Sequence, residues 1–121
     1  MIPKFKAWDK YHEMMVSIIS IDFENKIAYV EQENGDRYDI HFDNLIFLQS
    51  TGLKDKNGVE IFEGDIVAIK YSESGYHYYE KIVFENGTYL AGDEDWLYNI
   101  KDYCVVCGNI YEDKELLEVE G

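Results

Sequence analysis

The sequence predicts a mostly β protein, built of antiparallel hairpins that form a small SH3-like barrel or a bent sheet with additional hairpins. Apolar and polar residues alternate with period 2, the alternating runs are rich in β-branched and aromatic residues, and Asn-Gly recurs at 34–35, 57–58 and 86–87. Asn-Gly suits a type I′ hairpin because both residues tolerate positive φ. Isolated hairpins are marginal in water, so strands this short must curl or pack together.

In chain order, Met15 to Asp22 and Lys26 to Gln32 read as two strands joined near Glu24-Asn25, and Asn34-Gly35 turns the chain into a third strand from Arg37 to Phe42. Asn57-Gly58 makes the next turn, Ile61 and Phe62 start a strand, and Gly64-Asp65 bends into a buried strand at Ile66-Val67-Ala68-Ile69. Tyr78 to Phe84 and Thr88 to Ala91 flank Asn86-Gly87 as a hairpin, and Tyr103 to Val106 return to the sheet. Asp113 to Glu120, with Leu116, Leu117 and Val119, is the one stretch that suggests a helical turn.

Bulk properties set the frame for function. A chain of 121 residues is expected to form one domain over residues 1–121, with a single core burying roughly two thirds of the surface the unfolded chain exposes. It is 16% aromatic, with 11 Tyr and one Pro, a composition that folds rather than stays disordered. No stretch reads as a signal peptide or reaches the ~18 apolar residues of a membrane span, so a cytoplasmic protein with no membrane partner is expected.

Asp plus Glu number 25 against 11 Lys plus Arg, a net charge of -14. A surface this negative repels a phosphate backbone at long range, which argues against direct nucleic-acid binding. The acidity reads first as solubility and second as a face for a basic partner.

Three segments share their residues and order with a known family: Lys4-Phe5-Lys6-Ala7-Trp8-Asp9, then Thr51 through Val67 (TGLKDKNGVEIFEGDIV), then Gly108-Asn109-Ile110-Tyr111-Glu112. Together they resemble the YopX family of bacteriophage and prophage proteins. The sequence departs from the usual family pattern at Lys6, where Arg is common, at Phe62, where Tyr is common, at Cys107, where an aliphatic residue is common, and at Asp113-Lys114, where Asn-Pro usually follows. The resemblance implies a small, largely β, self-associating phage protein without an established biochemical activity, acting in the cytoplasm of a bacterial host cell.

Few residue patterns carry chemistry. Lys54, Asp55 and Lys56 read as an exposed hairpin tip able to touch a partner, beside the plainer reading of Gly52 to Val67 as turn and strand. The same stretch fails as a calcium loop, because the register that puts Gly58 at position 6 puts Leu53 and Gly64 where oxygen ligands are needed. Cys104 and Cys107 have the spacing of half a zinc site, but a second ligand pair is missing, and residues three apart on a strand face opposite ways. They read as buried, inert thiols.

His12, His41 and His77 are scattered, each with an ordinary neighbour to satisfy it, and only His41 with Asp43 suggests a carboxylate holding an imidazole. Ser72 and Ser74 show no nucleophile-elbow pattern. Asp93-Glu94-Asp95 followed by Trp96 is the densest acidic spot before the tail, either a solvated turn or a contact surface.

The sequence therefore predicts no enzyme, no cofactor and no metal. It predicts a protein-interaction module that forms a homo-oligomer through aromatic-rich faces and binds a host or phage protein. The alternative is an acidic nucleic-acid mimic, with Asp93, Glu94, Asp95, Glu112, Asp113 and Glu115 imitating phosphates to inhibit a host DNA-binding protein.

Overall fold

The computed structural model describes residues 5–70, 77–93 and 95–118. Lys4, Ser72, Ser74, Glu94, Val119 and Glu120, named in the sequence analysis, lie outside these. By its internal contacts the chain divides into two compact units, Met1–Gln49 and Ser50–Gly121. Each has its own apolar cluster.

The first unit is a five-stranded antiparallel sheet of β1 (Lys6–Asp9), β2 (Met14–Asp22), β3 (Ile27–Gln32), β4 (Arg37–His41) and β5 (Leu45–Leu48), in the order β4-β3-β2-β1-β5. Period-2 alternation places Ala7, Val16, Ala28, Val30, Ile40 and Leu45 in one buried cluster. Ile19 is the extra residue where the β2–β3 register shifts, so it turns outward and is 46% exposed.

In the second unit, β6 (Ser50–Lys54) pairs with β7 (Glu60–Phe62). Next come β8 (Asp65–Ile69), β9 (Tyr78–Glu85), β10 (Thr88–Ala91), β11 (Asp95–Trp96), a four-residue helix α1 (Leu97–Ile100) and β12 (Cys104–Asn109). These five strands form a sheet in the order β11-β10-β9-β8-β12. Ile61, Val67, Ile69, Ile82, Leu97, Ile100 and Cys104 meet in its core. A final 3-10 turn over Lys114–Glu118 occupies part of the stretch the sequence marks as helical.

The mostly β, antiparallel expectation stands. The sheets, however, are open and do not close into an SH3-like barrel: among the described residues β4 and β5 are the end strands of one, β11 and β12 of the other.

The three Asn-Gly turns differ among themselves. At Asn86-Gly87 both residues have positive φ, 53° and 81°, and Glu85 pairs with Thr88 across a two-residue loop, which is the expected type I′ geometry. At 34–35 and 57–58 only the glycine is left-handed. There Gly35 N–H donates to Gln32 C=O and Gly58 N–H donates to Asp55 C=O, while Gln32 N–H reaches Asp36 C=O and Asp55 N–H reaches Val59 C=O. These are three-residue loops, a type I turn followed by a glycine bulge, and each shifts the register by one residue relative to a type I′ hairpin.

Candidate interaction surfaces

Four polar residues are buried among the described residues: Asp9, Asp55, Asp65 and Asn109. All four fall within the segments singled out for resemblance, and each is consumed in tying backbone. Asp9 lies at the end of β1 with 0% exposure. Its Oδ1 accepts Tyr11 N–H and His12 N–H at 2.8 and 2.9 Å, closing the β1–β2 turn. Its Oδ2 bonds His12 Nδ1 at 2.6 Å and accepts the Tyr38 hydroxyl at 2.6 Å. Burial by itself raises the Asp9 carboxyl, but the Tyr38 hydroxyl and the His12 backbone and ring outweigh it, so the group sits below the usual carboxylate range.

Asp55 is 5% exposed, where the sequence reads it as part of an exposed hairpin tip. Its Oδ1 accepts Asn57 N–H and Val59 N–H at 2.8 and 2.9 Å, holding the turn, and its Oδ2 accepts Val106 N–H from β12 at 2.8 Å. Lys54 and Lys56 flank it and are exposed. Asp65 Oδ2 accepts Phe62 N–H at 2.8 Å across the Gly64 bend, and Gly64 C=O accepts Ile110 N–H at 2.9 Å. Asn109 Oδ1 accepts Tyr111 N–H and Glu112 N–H, while Glu112 and Asp113 carboxylates accept from Asn109 Nδ2 and N. Gly64, at φ +90°, lies so close to Tyr111 and Ile110 that a Cβ there would crowd the Tyr111 ring at 3.3 Å. The second and third signature segments therefore meet in space.

Asp93 and Asp95 line a cleft of about 480 Å³ together with Tyr79, Glu80, Lys81 and Leu117. Burial, and then the charges of Asp93 and Asp95, push the Glu80 carboxyl upward. A Cβ at Gly92, at φ +72°, would collide with the Glu80 carboxylate, so the glycine makes room for it. Glu80 was not apparent as a member of this acidic group because it lies 13 residues upstream of Asp93 and comes beside it only through the β9–β10 pairing. Trp96 stands at 58% exposure on β11.

The histidines separate. His41 Nδ1 accepts Asp43 N–H at 3.1 Å and lies 3.4 Å from an Asp43 carboxylate that is 89% exposed, so the pair caps a short 3-10 turn over Phe42–Asn44 in contact with water. His77 Nε2 lies 3.1 Å from the Tyr79 hydroxyl. The imidazole that does receive a buried carboxylate is His12, at the edge of a pocket of about 270 Å³ shared with Tyr11, Tyr38 and His41. The Asp9–His12 spacing of three is visible in the sequence, but Tyr38, the third partner, is not.

The thiols diverge as strand geometry requires. Cys104 is buried and its thiol is pushed up to about 12 by burial, with Asp55 and Asp102 adding to it. Cys107 is exposed, which corrects the expectation that both are buried. It is the extra residue of a bulge between Val106 and Gly108, and burial of its sulfur with nearby Asp113 and Asp65 raises its thiol too.

Among the described residues, aromatic rings reach the surface most densely in the first unit. Phe23, in the β2–β3 turn, is 76% exposed and packs edge-on against Phe42 at a centroid distance of 6.1 Å. Phe42 packs edge-on against Phe47 of β5 at 5.2 Å, and Phe47 is 41% exposed. The three rings form a continuous apolar ridge beside an open sheet edge.

Comparison with known proteins follows the signature segments. A family model described as YopX protein matches residues 4–118. The crystal structure of protein EF1440 from Enterococcus faecalis is 32% identical, with a TM-score of 0.64 over 97% of this chain and 99% of that one. No curated protein matches. The match spans all three signature segments and both compact units, and the chain belongs to the YopX family.

Proposed function

We propose that this YopX-family protein is a phage- or prophage-encoded, non-catalytic interaction module that self-associates and presents its surface to a protein partner inside the bacterial host. The observation that carries this reading is the Phe23–Phe42–Phe47 ridge, where two of three stacked rings are left in water. Aromatic rings dominate interface energetics because they bury large apolar area at low entropic cost. The signature residues support the non-catalytic part, since Asp9, Asp55, Asp65 and Asn109 are spent on backbone ties rather than offered to a substrate. Sedimentation velocity over a micromolar to millimolar series tests it. A concentration-dependent shift to a heavier species is expected, and a strict monomer throughout overturns the self-associating reading.

The cleft gathering Glu80, Asp93 and Asp95 favours a second reading, an acidic nucleic-acid mimic that occupies a basic host protein. Such a complex weakens steeply with salt, as the interaction it copies does. Pull-down from host lysate at low and moderate salt checks this, and recovery of only salt-insensitive partners excludes it.

A further inference from the structure

Among the described residues, the sheet edges of this protein are guarded in every place but one. An edge strand presents unpaired N–H and C=O groups and invites another strand unless charge, irregularity or a covering segment prevents it. On β4, exposed Arg37 and Asp39 supply charge. On β12, the turn at Asp55 closes the outer side: Lys56 N–H donates to Cys104 C=O at 3.0 Å and the Asp55 carboxylate accepts Val106 N–H, with the Cys107 bulge breaking the rest. β11 has two residues, β7 has three including Glu60, and the β6 register is irregular between Ser50 and Lys54.

β5 is Leu45-Ile46-Phe47-Leu48, with no charge and no bulge, paired on one side to β1. Asn44 C=O accepts Lys10 N–H from the β1 side, so antiparallel alternation turns the backbone groups of Leu45 and Phe47 to the open side. Leu45 N–H is taken by Phe42 C=O. That leaves Leu45 C=O and both backbone groups of Phe47 facing outward with no strand paired to them among the described residues. The exposed Phe47 ring and its stack on Phe42 and Phe23 lie on the same strand.

We propose that two copies of the chain pair antiparallel through β5, joining their first units into one continuous sheet with five strands from each copy. This rests on the self-association reading and names its surface. A second copy fits better than a basic partner because the segment carries no carboxylate to attract one. It also fits because, in a chain of net charge -14, β5 is an edge where two copies meet without setting carboxylates against each other. A two-fold axis normal to the sheet pairs residues of like parity, which keeps the Leu45 and Phe47 side chains of both copies on one face and brings the two aromatic ridges together. Because the remaining charge of each copy is repulsive, added salt tightens this dimer, the opposite of what an acidic mimic shows toward its target.

The test is sedimentation velocity of the full chain with Phe47→Lys, and with Phe84→Lys as the control at a 49% exposed ring of the second unit, each checked by circular dichroism. Phe47→Lys is expected to raise the dimer dissociation constant at least about tenfold while Phe84→Lys leaves it unchanged. In the unaltered protein, Phe47 amide hydrogen exchange is expected to slow as concentration rises, a readout that stands even if the lysine variant misfolds. A dimer whose Phe47 exchange does not depend on concentration, or that a folded Phe47→Lys leaves intact, overturns the β5 pairing and leaves self-association standing. A strict monomer overturns both.

Discussion

Replacing Asp55 separates a structural carboxylate from a partner-contacting one. Its Oδ2 bond to Val106 N–H spans 51 residues and joins the 55–59 turn to β12, and its Oδ1 bonds to Asn57 and Val59 N–H hold the turn. A hydrogen bond to a charged group stabilises by about 1.5–3 kcal/mol, and a turn-capping bond that water can replace by about 0.5–1 kcal/mol. Asp55→Ala is therefore expected to cost about 3 kcal/mol. Asp55→Asn, which keeps an acceptor for the turn but turns an amide toward Val106 N–H, is expected to cost about half as much. At roughly 4 °C per kcal/mol for a domain of this size, the alanine variant melts about 12 °C lower. Equilibrium urea unfolding followed by tryptophan fluorescence measures this. Uncovering the β12 edge should also make the alanine variant aggregate on warming. A loss under about 0.5 kcal/mol, together with a pulled-down partner that disappears, would refute the argument and return Asp55 to the role of a contact residue.

Acid should unfold the protein partly through Asp9: its folded carboxyl lies below the unfolded one, so its contribution is full above about pH 4 and is lost as pH falls further. Asp9→Asn should flatten the acid limb of a stability–pH curve, and an unchanged limb would remove Asp9 from the account. Glu80 behaves in the opposite sense, since its folded carboxyl is raised, its stabilising share is present at low pH and is lost as pH rises through the folded value. Glu80→Gln should therefore raise the melting temperature at pH 7 and change it little at pH 4. Ellman's reagent at pH 8 should label neither thiol quickly in the folded protein, with Cys104 the slower, and both promptly in urea.

Much of the fold was legible because strand signals are local. The hairpin of Tyr78–Glu85 with Thr88–Ala91 follows from alternation around Asn86-Gly87. The buried β8 run follows from four consecutive apolar residues after a Gly-Asp bend. β1 and β5, at four residues each, carry too short an alternation to announce themselves, and they exist because the sheet supplies partners on β2 and β1. The site was less legible. Asp55 looks like an exposed tip residue between two lysines, and only the arrival of Val106 makes it an interior tie. Phe23, Phe42 and Phe47 are separate apolar positions in the sequence and one ridge in space.

The sequence by itself determined a largely β chain of antiparallel hairpins, its turn positions and its negative surface, because pleat alternation, glycine conformation and charge are properties of neighbouring residues. The tertiary structure decided that the sheets stay open, that each compact unit has its own apolar cluster, that the signature carboxylates face inward, and that β5 has no second strand beside it among the described residues. Each of these depends on which distant backbone group meets which side chain, and hydrogen-bond satisfaction of that kind is settled only when the strands have found their partners.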